Sequence, residues 1–337
     1  MAKGVYIGVN GVSRKIKNGY IGVNDVARKI KKVYIGDENG IARLCYESNL
    51  SYITFSSPSS FTLKVNDATK HWDGTLEYST DTSTWSTWDG TTTLSSATSG
   101  SDNVLYLRGT GNMKITGFGA DVPTEFYRWV LTGTDIACVG NIENLLDYAT
   151  VKSGQHPTMA ESCYEFMFQN CTSLTQAPAL SATTLANGCY FGMFYGCTSL
   201  TQAPALPAMT LAESCYGGMF NQCTALTQAP ALPATTLARG CYFSMFQGCT
   251  GLTQAPALPA TVLATRCYQG MFSGCTSLKL SSTKTGEYTV AYRIPTTGTG
   301  TTVKNALASM FTKTGGTFTG APEINTTYYL SNTNTVV

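Results

Sequence analysis

The chain has 337 residues and a formal net charge of +2, and only 12% of it is Asp, Glu, Lys or Arg, about half the usual globular share. No run of about 18 apolar residues occurs, and the start MAKGVYIGVNGVSRK lacks the apolar core and cleavage site of a secretory signal, so neither membrane insertion nor signal-directed export is expected. A surface covered by hydroxyls and amides suits neutral partners.

Residues 5–46 contain one motif three times, VYIGVNGVSRKIK, YIGVNDVARKIK and YIGDENGIARLCY, with Tyr6, Tyr20 and Tyr34 setting a period of 14. Asn10-Gly11 between two β-prone runs is a strong hairpin signal, and pairing across it groups Val5, Ile7, Val9, Val12 and Ile16 on one face. Two more hairpins follow the same plan. Residues 1–46 hold nine Lys/Arg against three Asp/Glu. Without a stacking platform beyond the tyrosines, those charges read as solvated strand faces, so nucleic acid is not an expected partner. Isolated hairpins are marginal in water, so the module must dock on this chain's next domain or on another subunit. The motif array resembles the N-terminal segments of tail-associated structural proteins of phages infecting gut Firmicutes. That resemblance implies an anchor to other virion proteins through residues 1–46, with Tyr6, Ile7, Val9, Tyr20, Ile21, Val23, Tyr34 and Ile35 as the contacting candidates.

Residues 47–135 alternate in short runs, SYITF, FTLKV, TLEYS and VLYLRG, between Ser, Thr, Asn, Asp and Gly, which predicts an antiparallel β-sandwich. Trp72, Trp85 and Trp88 offer an aromatic platform for a sugar ring. Packing into the core is the more economical role. The carboxylates of Asp73, Glu77, Asp81 and Asp89 could be imagined as a glycosidase pair, but turn and strand-face roles explain them more simply. No GxSxG, HExxH, P-loop or GxGxxG occurs, so no enzyme, catalytic residue or cofactor is expected.

From Cys163 onward one 26-residue unit is written five times: Cys163, Cys189, Cys215, Cys241 and Cys267 keep that spacing, as do Cys171, Cys197, Cys223, Cys249 and Cys275. Cys241, Tyr242, Met245, Phe246 and Cys249 fall at i, i+1, i+4, i+5 and i+8, which predicts an apolar stripe on a short helix. LTQAPAL predicts a short strand ended by Pro256 and a Pro-rich return. One unit cannot bury its own stripe, so the copies must stack and share a core. Cysteines eight residues apart on one helix lie about 12 Å apart by helical rise, too far for a disulfide within a unit, which leaves bridges between units open. With only His71 and His156 in the chain no zinc site is expected, and the thiols read as buried and free. Met310-Phe311 and the following TFTGAPEI, with Phe318 in the leucine place, mark a degraded sixth copy. The N-terminal cap is expected to begin near residue 136. The predicted division is therefore 1–46, hairpin anchor; 47–135, sandwich; 136–324, repeat array with an insertion at about 281–303; and 325–337, tail. Overall this is a mainly β chain with short helices.

The consensus C-T-x-L-T-x-A-P-x-L-P-A-T-x-L-A-x-x-C-Y-x-x-M-F resembles the BspA-like leucine-rich repeats of surface and phage proteins of gut bacteria. It implies a curved leucine-rich-repeat solenoid with an adhesive or recognition role and no catalytic residues. Recurring Gln176, Gln202, Gln228 and Gln254 could form a polar ladder, for ligand contact or for bonding between copies. Positions that change between copies are the better ligand candidates: Phe166, Phe191, Tyr195, Asn221, Arg239, Phe243, Gln247 and Gln269. The expected protein is a non-enzymatic phage virion protein that is adhesive and recognises a bacterial surface glycan or protein. Rival readings are a capsid or tail decoration protein whose repeats bind neighbouring subunits, a bacterial cell-surface adhesin and a carbohydrate-active enzyme. A homo-oligomer is compatible with the sequence, which carries no heptads or other oligomer signature.

Overall fold

The computed structural model describes residues 52–66, 72–116, 127–294 and 305–337 with their side chains. The six strands between Tyr6 and Glu47, residues 117–118 and residue 126 are described as backbone. Met1–Ser51 and Tyr52–Val337 are separate compact units.

In the first unit β1 (Tyr6–Val9) pairs antiparallel with β2 (Val12–Lys15), β3 (Tyr20–Val23) with β4 (Val26–Lys29), and β5 (Lys32–Gly36) with β6 (Ala42–Glu47). The first two hairpins put Val9 opposite Val12 and Val23 opposite Val26, the register a two-residue connection dictates. The third has a longer connection and a bulge between Val33 and Tyr34. In the first hairpin Arg14 stands opposite Ile7 in the register. All eight anchor candidates lie in β1, β3 and β5, and what their side chains meet lies outside the described residues.

Among the described residues the second unit is mainly β, with several sheets, no barrel and one short helix. Its first part holds β7 (Ile53–Ser57), β8 (Thr62–Val65), β9 (Thr75–Ser79), β10 (Ser86–Trp88), β11 (Leu94–Ser95), β12 (Ala97–Ser99), β13 (Asp102–Thr110), β14 (Gly117–Phe118), β15 (Phe126–Tyr127), β16 (Trp129–Thr132) and β17 (Ile136–Val139). Then come α1 (Asn144–Lys152) and β18 (Leu174–Gln176). Seven strands form one sheet in the order β10-β9-β13-β7-β17-β18, with β12 beside β13, and β11-β8-β16 form another. The expected runs are strands β7, β8, β9 and β13. Alternation along β13 buries Leu105 and Leu107 and leaves Tyr106 and Arg108 half-buried on the other face. Between the sheets Trp129 meets Phe55 and Trp88, with ring centroids 6.3 and 5.7 Å apart. Against β13, α1 approaches so closely that a side chain on Gly109 would run into the Leu145 carbonyl.

The array joins this part without a seam, since β17 pairs parallel with β18 of the first copy. Its cap reaches further upstream than residue 136. The carbonyl of Cys163 accepts the amides of Ile115 and Thr116 (both 3.0 Å), that of Glu165 the Thr116 hydroxyl (2.8 Å), and that of Met167 the Trp129 amide (2.7 Å). These residues stand where a preceding copy would donate.

The segments expected as short helices are instead runs of tight turns. Met167, Gln169 and Cys171 donate their amides three residues back, to Tyr164, Phe166 and Phe168, while the amides between them leave the copy altogether. Tyr164, Phe166 and Phe168 donate to the carbonyls of Cys189, Phe191 and Met193 in the next copy at 2.8–2.9 Å. Every fourth residue is left-handed: Ser162, Phe166 and Asn170, then Gly188, Gly192 and Gly196, and so on to Arg266, Gly270 and Gly274. An α-helix cannot run through such residues. A four-residue turn sends two neighbours inward and two outward, so Cys, Tyr, Met, Phe and Cys still line the core.

Identical rings stack from copy to copy. Tyr164, Tyr190, Tyr216, Tyr242 and Tyr268 form one column with centroids 5.5–6.1 Å apart. Phe168, Phe194, Phe220, Phe246, Phe272 and Phe311 form another at 5.7–5.9 Å. Phe311 belongs to the sixth copy, whose Ala306, Ala308, Met310 and Thr312 carbonyls accept the amides of Tyr268, Gly270, Phe272 and Gly274.

On the opposite side the expected strand forms in the first copy and again in the fifth. The second, third and fourth copies meet there through isolated bridges, Gln202 to Gln228 and Gln228 to Gln254, and the proline two residues on has no amide to extend them. From the fifth copy onward β20 (Lys279–Ser281), β21 (Tyr288–Arg293), β22 (Gly315–Gly316) and β23 (Thr327–Ser331) form a sheet in which β20 pairs parallel with β22 of the sixth copy. The tail is structured too. β24 (Thr335–Val336) lies parallel to β19 (Gln254–Ala255), taking the place beside Gln254 that a next copy would hold.

Candidate functional site

The turn side of the array repeats its backbone bonds while its outward side chains change. A residue in one copy faces the residue 26 positions on, so the stack sets which variable side chains meet. Phe166 is buried: its ring lies over Gly192, where a side chain would collide with it. It also packs edge to face on Phe191 (5.4 Å, 81°) and Tyr195 (6.5 Å, 66°). Phe191 in turn lies over Gly217. Asn221, also buried, donates to Gln247 Oε1 at 3.5 Å. Arg239 pairs with Glu213 at 2.6 Å, both side chains exposed. Phe243 and Gln269 are half-buried in the fourth and fifth copies, and Gln269 Oε1 is buried without a hydrogen-bond partner among the described residues.

The candidates therefore fall into an aromatic group at the first two copies, an amide pair at the third and fourth, and an ion pair at one edge. Phe191, Tyr195, Arg239, Phe243, Gln247 and Gln269 present surface; Phe166 and Asn221 support their neighbours. The glutamine ladder is a ladder of backbone bridges, and Gln254 is buried.

One residue of this face carries no signal of its place in the sequence. Glu165 is 5% exposed, and its Oε2 has no hydrogen-bond partner among the described residues. Burial raises its carboxyl pKa, against a smaller opposing pull from the Ser162 hydroxyl and the charge of Lys114. It is one of only four charged residues between Cys163 and Leu278.

The eleven described cysteines are buried and free. Their separation along a helix no longer explains this, since the helix is absent. The second cysteine of each copy bonds to the copy before it. Cys197, Cys223, Cys249 and Cys275 donate their thiol hydrogens to the carbonyls of Phe168, Phe194, Phe220 and Phe246 at 3.0–3.1 Å. Burial pushes Cys171, Cys215 and Cys275 up to about 12.

In the first part of the unit Trp72 and Trp88 are core, 5.3 Å apart, and Trp85 alone is half-buried at the surface. Asp73 accepts the amides of Met113 and Lys114, Asp81 those of Ser83 and Thr84, and Asp89 that of Thr91. The bonds from Thr84 and Ser83 hold Asp81 down at about 2. Among the described residues no group of three or more His, Cys, Asp or Glu is placed to hold a metal, and no helix is long and apolar enough to cross a membrane.

Comparison with protein-family models, with curated proteins and with solved structures finds no match to this chain.

Proposed function

We propose that the chain is a non-enzymatic phage virion protein, anchored by its N-terminal hairpins and carrying a leucine-rich-repeat solenoid whose turn face recognises a bacterial surface glycan or protein. The observation that carries this reading is the contrast on that face: backbone bonds repeat from copy to copy, while the side chains they present differ. A scaffold built this way tolerates exchange of Phe243, Gln247 or Arg239 without loss of its core. The non-enzymatic part is supported by the engagement of Asp73, Asp81 and Asp89 with backbone amides, which are turn-forming bonds. The anchor rests on the hairpin motif of residues 5–46.

Immunogold labelling of intact particles tests the virion assignment, and absence of label from purified particles would sink it. Host-cell adsorption tests the turn face. Particles carrying Arg239→Ala, Phe243→Ala and Gln247→Ala together are expected to assemble normally and adsorb poorly. Normal adsorption would show that another surface does the recognising.

A further inference from the structure

Trp85, the one surface member of the three tryptophans at 72–88, belongs to a cluster on the outer face of the seven-stranded sheet. The Arg108 guanidinium carbon lies 4.0 Å from the Trp85 ring centroid and 4.5 Å from that of Tyr148 on α1. Arg108 stands directly opposite Glu77 across the β9–β13 pair, and its Nε donates to Glu77 Oε2 at 2.8 Å. Two rings and one hydrogen bond thus fix the guanidinium plane, while the side chains of Arg108 and Glu77 remain 21% and 26% exposed. The pair uses Nε of Arg108 and Oε2 of Glu77. Beside them Tyr52 packs on Trp85 (5.7 Å, 47°) and on Tyr106 (5.2 Å, 75°).

Fixed donors next to a carboxylate acceptor match a pair of neighbouring hydroxyls, since each hydroxyl both donates and accepts. Trp85 holds the guanidinium from beneath, and the adjoining Tyr52 ring matches the C–H face of a pyranose. The two charges cancel, which removes any preference for an anionic or cationic ligand. We propose that Arg108, Glu77, Trp85 and Tyr52 form a binding site for a neutral hexopyranose. It lies on the sheet, outside the array, and does not depend on the turn face.

The test is saturation-transfer NMR on the full-length protein with methyl β-D-glucoside, methyl α-D-mannoside and methyl β-D-galactoside as probes and methyl β-D-glucuronide as the charged comparator. At least one neutral probe is expected to bind saturably. Glu77→Gln and Arg108→Lys are each expected to weaken that binding about tenfold, the order of one lost hydrogen bond to a charged group, and Tyr52→Leu about fivefold, the order of one lost aromatic contact. Thermal melts identify which variants keep their fold, and Tyr52→Leu leaves the Arg108–Glu77 pair in place should either of the others unfold. No saturable binding of any neutral probe, undiminished binding in the folded variants, or tighter binding of the glucuronide would each overturn the proposal.

Discussion

The thiol of Cys249 donates to the backbone carbonyl of Phe220, 3.0 Å away and twenty-nine residues earlier in the chain. That carbonyl also accepts the Cys223 amide within its own copy, so the thiol supplies a second partner to a buried oxygen. A hydroxyl would do the same at a higher desolvation cost, and a methyl group would leave the oxygen half-satisfied. Cys249→Ala is therefore expected to cost about 1–2 kcal/mol, the sum of a lost weak hydrogen bond and a small void. Urea unfolding checks it. A cost indistinguishable from zero would mean the thiol only fills space.

The thiol columns also set the response to alkali. An ordinary thiol ionises near pH 8.5, whereas burial holds Cys267 at about 11 and Cys171, Cys215 and Cys275 at about 12. The raised folded values mean that the thiols' contribution is complete below the unfolded value. It is lost as pH rises through the folded one, because the unfolded chain sheds protons the folded chain keeps. Each such thiol removes about 1.4 kcal/mol of stability per pH unit in that window. The melting temperature is thus expected to hold up to about pH 8 and fall steeply above it. The eleven described cysteines should resist iodoacetamide in the native protein and react once it is unfolded. Rapid native labelling at neutral pH would contradict their burial.

Much of the array is legible from its period of 26, because identical residues at that offset must face each other once copies stack. The stripe reads as helical because i, i+1, i+4, i+5 and i+8 fit a turn of 3.6 residues as well as one of four. The deciding signal is elsewhere in the same letters: Gly188, Gly192 and Gly196, then Gly240 and Gly248, then Gly270 and Gly274 recur at multiples of four, where a helix has no use for glycine and a left-handed corner does. The match of Phe166 to Gly192 and of Phe191 to Gly217 is also readable, as large residues facing small ones at the repeat offset. The cap is not. Nothing local in Ile115, Thr116 or Trp129 says that their amides or hydroxyl will meet the first copy, since that pairing depends on how two sheets place distant strands. For the sheet cluster, alternation in VLYLRG does put Tyr106 and Arg108 on one face, but their partners Tyr52, Trp85 and Tyr148 come from three other segments.

Left-handed glycines differ in what an added methyl group would meet, as a corner of the second copy, Gly192, and Gly154 just past α1 show. Gly192 has φ of 57° and the Phe166 ring in the way, whereas Gly154 has φ of 82° and nothing within 4 Å. Gly154→Ala should therefore cost only left-handed strain, about 1 kcal/mol. Gly192→Ala adds a steric term and should cost about 3 kcal/mol. Equal losses in denaturant titrations would show that the Phe166 ring moves aside without penalty, and the aromatic group would then be softer than its packing indicates.

Glu165 gives the turn face a pH dependence of its own. Its raised pKa places the folded carboxyl above the unfolded value of about 4.3. Between those values the folded chain holds a proton that the unfolded chain has released, so stability falls as pH rises through the window. Glu161 and Lys114 are the charged groups that act on it, the first raising the pKa and the second lowering it, both less than burial does. Glu165→Gln keeps the shape and removes the ionisation. The variant is expected to melt above the wild type at pH 7, with the difference closing at pH 4, where both side chains are neutral. A variant that melts lower at pH 7 would mean that the carboxylate has a partner in solution, and the charge would then be stabilising the first copy instead of straining it.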